Sequence, residues 1–306
     1  MDNEKQNELI SQLENELTGD PELDGNILME WAEKYRTMQD AEILNRYISR
    51  KMVDLLIEED GDLPEQIISD ILADANDIYD EACSLIGQEK YEEAVEKLAP
   101  LVQLADEFSL PPDTIWMDFN SYLDSLLYMD YFDDFINDRE IGRHPLHPGR
   151  ILYTYGSLLI ELGRPEDALE PLQMLVSYNP VCPKYLAELC EAYKRTGNIQ
   201  DAASNALWAL SCASTNQELA RAYRDLAYCL GETGAYEDAL MINMLSLQYH
   251  KTRHAEAEIA WIQKKAGLSP AAYDEETIRK RCEELGIPIG ISETVKLNQA
   301  FLDSLQ

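Results

Sequence analysis

The chain has 306 residues, of which 45% are hydrophobic and 8% aromatic, a composition typical of folded globular proteins. Its formal net charge of −33 repels nucleic acid phosphates and anionic lipid surfaces, so we expect neither as a partner. No apolar run approaches the length of a membrane-spanning helix, and the first residues lack the basic and apolar regions of a signal peptide. Together these features predict a cytoplasmic protein.

The negative charge is concentrated in the first part of the chain. Residues 1–142 hold 37 Asp and Glu against 9 Lys and Arg, whereas residues 143–306 hold 21 against 16. Either a basic partner or a solvated acidic surface would account for this asymmetry.

Residues 1–74 are expected to form an acidic helical segment. Two amphipathic stripes are evident, made by Leu9, Ile10, Leu13 and Leu17 and by Ile27, Leu28, Trp31 and Tyr35. Gly and Pro at residues 19–21 and 61–64 predict breaks between helices. Pro64 would sit in the first turn of a long helix that leads into the next part of the chain.

A pattern of paired amphipathic helices then recurs over residues 75–266. The best copy begins at Gly149, turns at Gly163 and closes at Pro180, and the next begins 34 residues later. In each copy small residues stand where two helices would cross closely, namely Ala82, Gly156, Cys190 and Ala227 on the first helices and Ala94, Ala168, Ala202 and Ala239 on the second. Gly163, Gly197 and Gly234 follow the first helices, where a left-handed residue ends a helix well.

A degenerate copy is expected at residues 116–148, because the 74 residues between Ala94 and Ala168 leave room for one more unit. Its apolar positions would be Phe119, Tyr122, Leu123 and Leu126 in a first helix and Phe132 and Phe135 in a second. A single hairpin cannot bury its apolar face alone, so neighbouring hairpins must stack.

This spacing of aromatic, small and turn residues resembles the tetratricopeptide repeat family. The resemblance implies an all-α fold, a right-handed superhelix of about five helical hairpins over residues 75–266. An ordinary helical bundle with accidental periodicity is the alternative.

Three helices are expected to complete the chain. One spans residues 255–266 and ends at Gly267, and two follow within a C-terminal segment, residues 267–306. Leu297, Phe301 and Leu305 form one apolar stripe on the last helix, which we expect to cap the end of the stack.

The resemblance also implies a ligand site. In tetratricopeptide proteins the first helix of each repeat lines the concave groove, with ligand contacts at its second, fifth, sixth, ninth and twelfth positions. Matching residues of the three best copies are Arg150, Tyr153, Ser157, Lys184, Glu191, Lys194, Arg221, Arg224 and Tyr228. We expect this basic row to bind an acidic segment or terminal carboxylate of a peptide. Alternatively, its cations pair with acids on neighbouring helices, such as Glu188 or Asp225.

The leading function is therefore a scaffold or adaptor that binds a protein or peptide. A peptide-sensing regulator acting through protein contacts is the alternative, and an enzyme built on a helical solenoid is a third class. Family members that grip chaperone tails carry Lys and Asn at the fifth and ninth positions, where this chain has Tyr153 and Ser157. A dedicated chaperone-tail adaptor is thus disfavoured.

No motif predicts catalysis, a metal site or a cofactor. His144 and His147 are close in sequence, and His250 and His254 have i, i+4 spacing, but neither pair comes with further metal ligands. The six cysteines show no CxxC spacing, which predicts reduced and mostly buried thiols.

Overall fold

The computed structural model describes residues 3–35, 44, 47–48, 51, 65–108, 113–136 and 139–305. Helices predominate in these residues, as the sequence predicted, and two four-residue strands are the exception. The chain divides into two compact units, one of residues up to 78 with 107–112 and one of residues 79–106 with 113–306. The break predicted at 61–64 and the placement of Pro64 lie outside the described residues.

The described residues of the first unit begin with two helices joined by a tight turn, α1 (Asn3–Glu16) and α2 (Pro21–Tyr35). Gly19 adopts a left-handed φ of +82°, and the Asp24 carboxylate accepts the Thr18 and Gly19 backbone amides at 2.6 and 2.9 Å. These bonds fix the predicted break. Both predicted stripes contribute to one apolar core, whose buried members are Leu13, Leu28, Trp31, Tyr35, Leu44 and Ile48.

The remaining elements follow in chain order. They are α3 (Glu65–Gly87), α4 (Tyr91–Glu107), β1 (Thr114–Met117), α5 (Tyr122–Ile136), β2 (Glu140–Arg143), α6 (Pro148–Glu161), α7 (Pro165–Tyr178), α8 (Pro183–Arg195), α9 (Ile199–Cys212), α10 (Asn216–Glu232), α11 (Tyr236–Tyr249), α12 (Arg253–Ala266), α13 (Glu275–Leu285) and α14 (Glu293–Ser304). A short 3-10 turn, Pro270–Ala272, lies between α12 and α13.

Helices α6 to α12 contact one another in a regular order. The pairs α6–α7, α8–α9 and α10–α11 pack together, and the second helix of each pair also contacts the first helix of the next. The first helices touch as well, α6 against α8 and α8 against α10. Gly163, Gly197 and Gly234 have φ of +74°, +78° and +86°, which confirms the predicted left-handed residues.

Small residues at the predicted crossings are buried. Ala168, Cys190, Ala202 and Ala239 are all fully inaccessible to solvent. At Gly156 an added Cβ would lie 2.5 Å from the Leu172 side chain, so a larger residue there would require Leu172 or the two helices to move.

The degenerate hairpin expected at 116–148 is wrong. That region forms a strand, one helix and a second strand, with β1 and β2 paired in parallel. Phe132 and Phe135 lie on α5 with Tyr122, and the backbone of α5 kinks at Phe132 (φ −124°, ψ 21°). Ile115 and Met117 alternate with more exposed neighbours, so this short stretch buries one face as a strand does and pairs with a segment 26 residues away.

Both C-terminal helices form where predicted, but the apolar stripe of α14 does not cover a neighbouring helix. Leu297, Phe301 and Leu305 are exposed, whereas Val295 is buried and packs against the core around Leu127. α14 therefore meets α5 through a different face, and the expectation that its stripe caps the stack is wrong.

Candidate functional site

All nine residues of the predicted site lie on α6, α8 and α10, three helices that contact one another in sequence. We call them the first-helix row: Arg150, Tyr153, Ser157, Lys184, Glu191, Lys194, Arg221, Arg224 and Tyr228. None is buried, and Lys184 and Tyr228 are exposed. Contacts within the row differ from one end to the other.

At the α6 end, cations lie over tyrosine rings of the preceding first helix. The Arg150 guanidinium is 4.7 Å from the centre of the Tyr79 ring, and the Lys184 ammonium is 3.8 Å from that of Tyr153. In both pairs the cation comes from the first turn of a helix, α6 or α8, and the ring belongs to a helix earlier in the chain, α3 or α6. Such cation–π contacts hold the cations close to an amphipathic aromatic surface.

At the α10 end this arrangement changes, because the fifth position of α8 is Ala187 and offers no ring. Arg221 instead donates to Glu188 Oε1 at 2.9 Å. Ser157 on α6 donates to the other oxygen of the same carboxylate at 3.2 Å. Glu188 therefore links three consecutive first helices.

Lys194 is held by two acids. Its ammonium lies 2.6 Å from Glu191 and 2.7 Å from Asp225, and 5.2 Å from the centre of the Tyr228 ring. Burial acts to lower the Lys194 pKa, but Asp225 and Glu191 outweigh it and raise the pKa above its usual value. Lys194 thus stays charged, and its charge is neutralised within the protein.

Arg224, which the predicted register places at a fifth position, lies in α10 and is half-buried. Its Nη1 atom is buried and has no hydrogen-bond partner within the described part of the chain. Burial lowers its pKa, opposed by the nearby carboxylates of Asp225 and Glu258. The guanidinium thus retains a donor that the described residues do not use.

Lys184 is the most accessible cation of the row. It is exposed and, among the residues that the structure describes, forms no ion pair with a carboxylate. Internal pairing, the alternative raised by the sequence, thus holds for Arg221 and Lys194, while Lys184 keeps an ammonium group that faces solvent.

The histidines near residue 145 have structural partners that sequence reasoning missed. Asp118, just after β1, accepts the Gly149 amide at 2.8 Å and approaches His147 Nδ1 at 3.1 Å, so it fixes the start of α6. His144 is buried and accepts the Leu146 amide at Nδ1, and burial lowers its pKa to about 4. Among the described residues no three His, Cys, Asp or Glu side chains converge as metal ligands would.

The cysteines are unpaired, and all but Cys83 are buried, as the sequence predicted. Burial raises the pKa of Cys182 to about 11, so this thiol is a poor nucleophile at neutral pH.

A separate cavity of about 610 Å³ lies between the start of α11, the end of α12 and α13. Its walls include Tyr236, Leu268 and Tyr273, and Arg281 donates two hydrogen bonds to Asp238 at 2.7 and 3.0 Å. Nothing in the sequence pointed to this cavity, because its lining comes from three separate helix ends.

No helix in the described residues is both long and apolar enough to traverse a lipid bilayer. The chain matches no model of a known protein family, and no similar sequence is found among curated proteins.

Proposed function

We propose that the chain is a protein-interaction module that holds a peptide or protein segment against the first-helix row. In this proposal residues 75–266 form a superhelix of the tetratricopeptide type, and α6, α8 and α10 line its concave groove. The ordered contacts between successive pairs and between first helices are what such stacking requires. The protein then acts by binding as a scaffold or adaptor, without catalysis or a cofactor.

One observation carries the proposal: Lys184 presents an ammonium group to solvent while held over the Tyr153 ring. Tyr228, at the other end of the row, exposes 37% of its surface. Exposed tyrosines supply flat contact area at low conformational cost, and a fixed ammonium selects a carboxylate. An acidic segment or a terminal carboxylate of a peptide is the partner this chemistry fits.

Arg221 and Lys194 have a different role. Since Glu188, Glu191 and Asp225 neutralise them, they hold neighbouring first helices together and keep the row rigid. A rigid surface loses less entropy when it binds a ligand. Selectivity for an acidic ligand thus depends on Lys184 more than on the paired cations.

The test compares two baits in a quantitative pull-down from the native host. Lys184→Glu reverses the exposed charge of the row, and Lys251→Glu makes the same change at an exposed lysine just after α11 that has no ion pair among the described residues. We expect Lys184→Glu to weaken capture of the principal partner by about tenfold or more, and Lys251→Glu to leave it unchanged. Equal capture by both variants would rule out the row as the binding surface.

Arg221 is a poorer reporter for this test. Reversing its charge would place a carboxylate against Glu188 and Asp225, so lost binding would also reflect a disturbed packing of α8 and α10.

A further inference from the structure

The last helix presents an apolar face that nothing in the described residues covers. Leu297, Phe301 and Leu305 are 70%, 52% and 67% exposed. The helix itself is anchored elsewhere, since Val295 is buried and Asn298 donates to Asp130 of α5 at 2.6 Å. The stripe is therefore a fixed surface on a packed helix.

The stripe is as large as the apolar patches that often serve a function on monomers. From the exposed fractions, the three side chains offer roughly 400 Å² of apolar area, within the range of about 300–600 Å² for the largest patch of a monomer. Patches of this size commonly mark interaction sites.

The symmetric spacing of the three apolar residues indicates that a second copy of the chain covers the stripe. Leu297, Phe301 and Leu305 are spaced by four residues on each side of Phe301, so the stripe reads the same in both directions. An antiparallel second copy, related by a twofold axis through Phe301, would place Phe301 against its own counterpart and Leu297 against Leu305. A twofold contact requires such a self-complementary surface.

Local charge permits this pairing although the chain as a whole carries −33. Between residues 298 and 304 the only charged side chain is that of Asp303, and Lys296 is paired with Glu293 at 2.7 Å. The core of a protein interface is depleted in charge in the same way. Repulsion between the remaining acidic surfaces acts over longer distances, and salt screens it.

We propose that α14 is a self-association surface through which two copies of this chain pair antiparallel about Phe301. The two stripes together bury roughly 800 Å², less than the about 1,200 Å² of a stable interface, so the dimer is weak and depends on concentration and salt. The inference is independent of the proposed peptide binding.

Sedimentation equilibrium of the full chain tests the association. We expect the mass to rise from monomer towards dimer as concentration increases from about 1 to about 500 µM, more steeply at high salt. Phe301→Glu should remain monomeric over this range. Leu207→Glu, which changes a 37% exposed leucine of α9, should associate as the unmodified chain does.

Cysteine crosslinking tests the geometry in a Cys83→Ser background, which removes the exposed native thiol. With oxidised glutathione as oxidant, two thiols become one interchain disulfide and glutathione is reduced to two thiols. Phe301→Cys should crosslink to itself, and a mixture of Leu297→Cys and Leu305→Cys, both retaining Phe301, should crosslink to each other. Leu297→Cys alone should not, because the two copies of that residue lie about 12 Å apart along the helices.

A monomer at every concentration would overturn the proposal, as would a dimer that Phe301→Glu leaves unchanged. Preferential crosslinking of Leu297→Cys to itself would overturn the antiparallel arrangement. Circular dichroism of each variant verifies that it is folded.

Discussion

The close approach of α6 and α7 predicts an unusual response to a single added methyl group. Gly156 lies within α6, and an added Cβ would stand 2.5 and 2.6 Å from Cδ2 and Cγ of Leu172. Leu172 is fully buried, so its side chain has little room to move. Gly156→Ala therefore forces the two helices apart or the leucine out of its rotamer.

Two opposing effects set the magnitude. Overpacking a dense core costs about 1–3 kcal/mol, whereas replacing glycine by alanine within a helix gains about 1 kcal/mol. We expect a net destabilisation of about 1 kcal/mol for Gly156→Ala. Gly231 in α10 is the matched control, because its added Cβ would meet only the Ala239 Cβ at 3.9 Å, an ordinary contact. Gly231→Ala should stabilise by about 0.5–1 kcal/mol.

Urea unfolding followed by circular dichroism measures both changes. Leu172→Ala makes the test sharper. In that background the obstructing side chain is gone, so Gly156→Ala should become neutral or stabilising, and the double-mutant cycle isolates the contact. If Gly156→Ala stabilised the unmodified chain as much as Gly231→Ala does, close packing between α6 and α7 would be refuted.

Three further predictions concern single side chains. Lys194→Met leaves Asp225, 7% exposed, without its ammonium partner and should cost about 3 kcal/mol in urea unfolding, most of it recovered by adding Asp225→Leu. Burial lowers the pKa of His144 from 6.5 to about 4, so this residue is neutral in the folded protein. Its contribution to the free energy of unfolding is complete above pH 6.5 and should fall by up to roughly 3 kcal/mol as the pH drops towards 4. Urea unfolding of His144→Gln at the same pH values should lack this pH-dependent loss. One thiol, Cys83, should react rapidly with a thiol reagent in the native protein and the five buried thiols only after unfolding, whereas Cys83→Ser should show no rapid reaction.

The helices and the turns between them could be predicted from the sequence because both depend on residues that are close together in the chain. Gly163, Gly197 and Gly234 end first helices in the left-handed region, a conformation that glycine adopts without a steric cost. The helices before and after them follow from apolar residues at helical spacing. The parallel strands escaped prediction, because each is only four residues long and is stabilised by a partner 26 residues away.

For the candidate site, the sequence predicted which helices carry the cations, but it did not predict which cations are paired with acids. The periodic spacing of the sequence predicts that Lys184 and Lys194 lie on one helix and Arg221 on another, and the structure has them on α8 and α10. Which of them are neutralised depends on the rotation and separation of those helices, which bring Glu188 to Arg221 and Asp225 to Lys194. Asp118 and Gly149 illustrate the same limit, since a carboxylate 31 residues away fixes the start of α6.

The sequence by itself determined that this chain is helical, where most of its helices end, and which residues are small enough for close crossings. It also determined that the last helix carries an apolar stripe at Leu297, Phe301 and Leu305. Only the tertiary structure decided that Val295 anchors this helix and that the stripe faces solvent. The reason is physical: amphipathic spacing specifies that a face is apolar, whereas what covers it depends on contacts between residues distant in the chain.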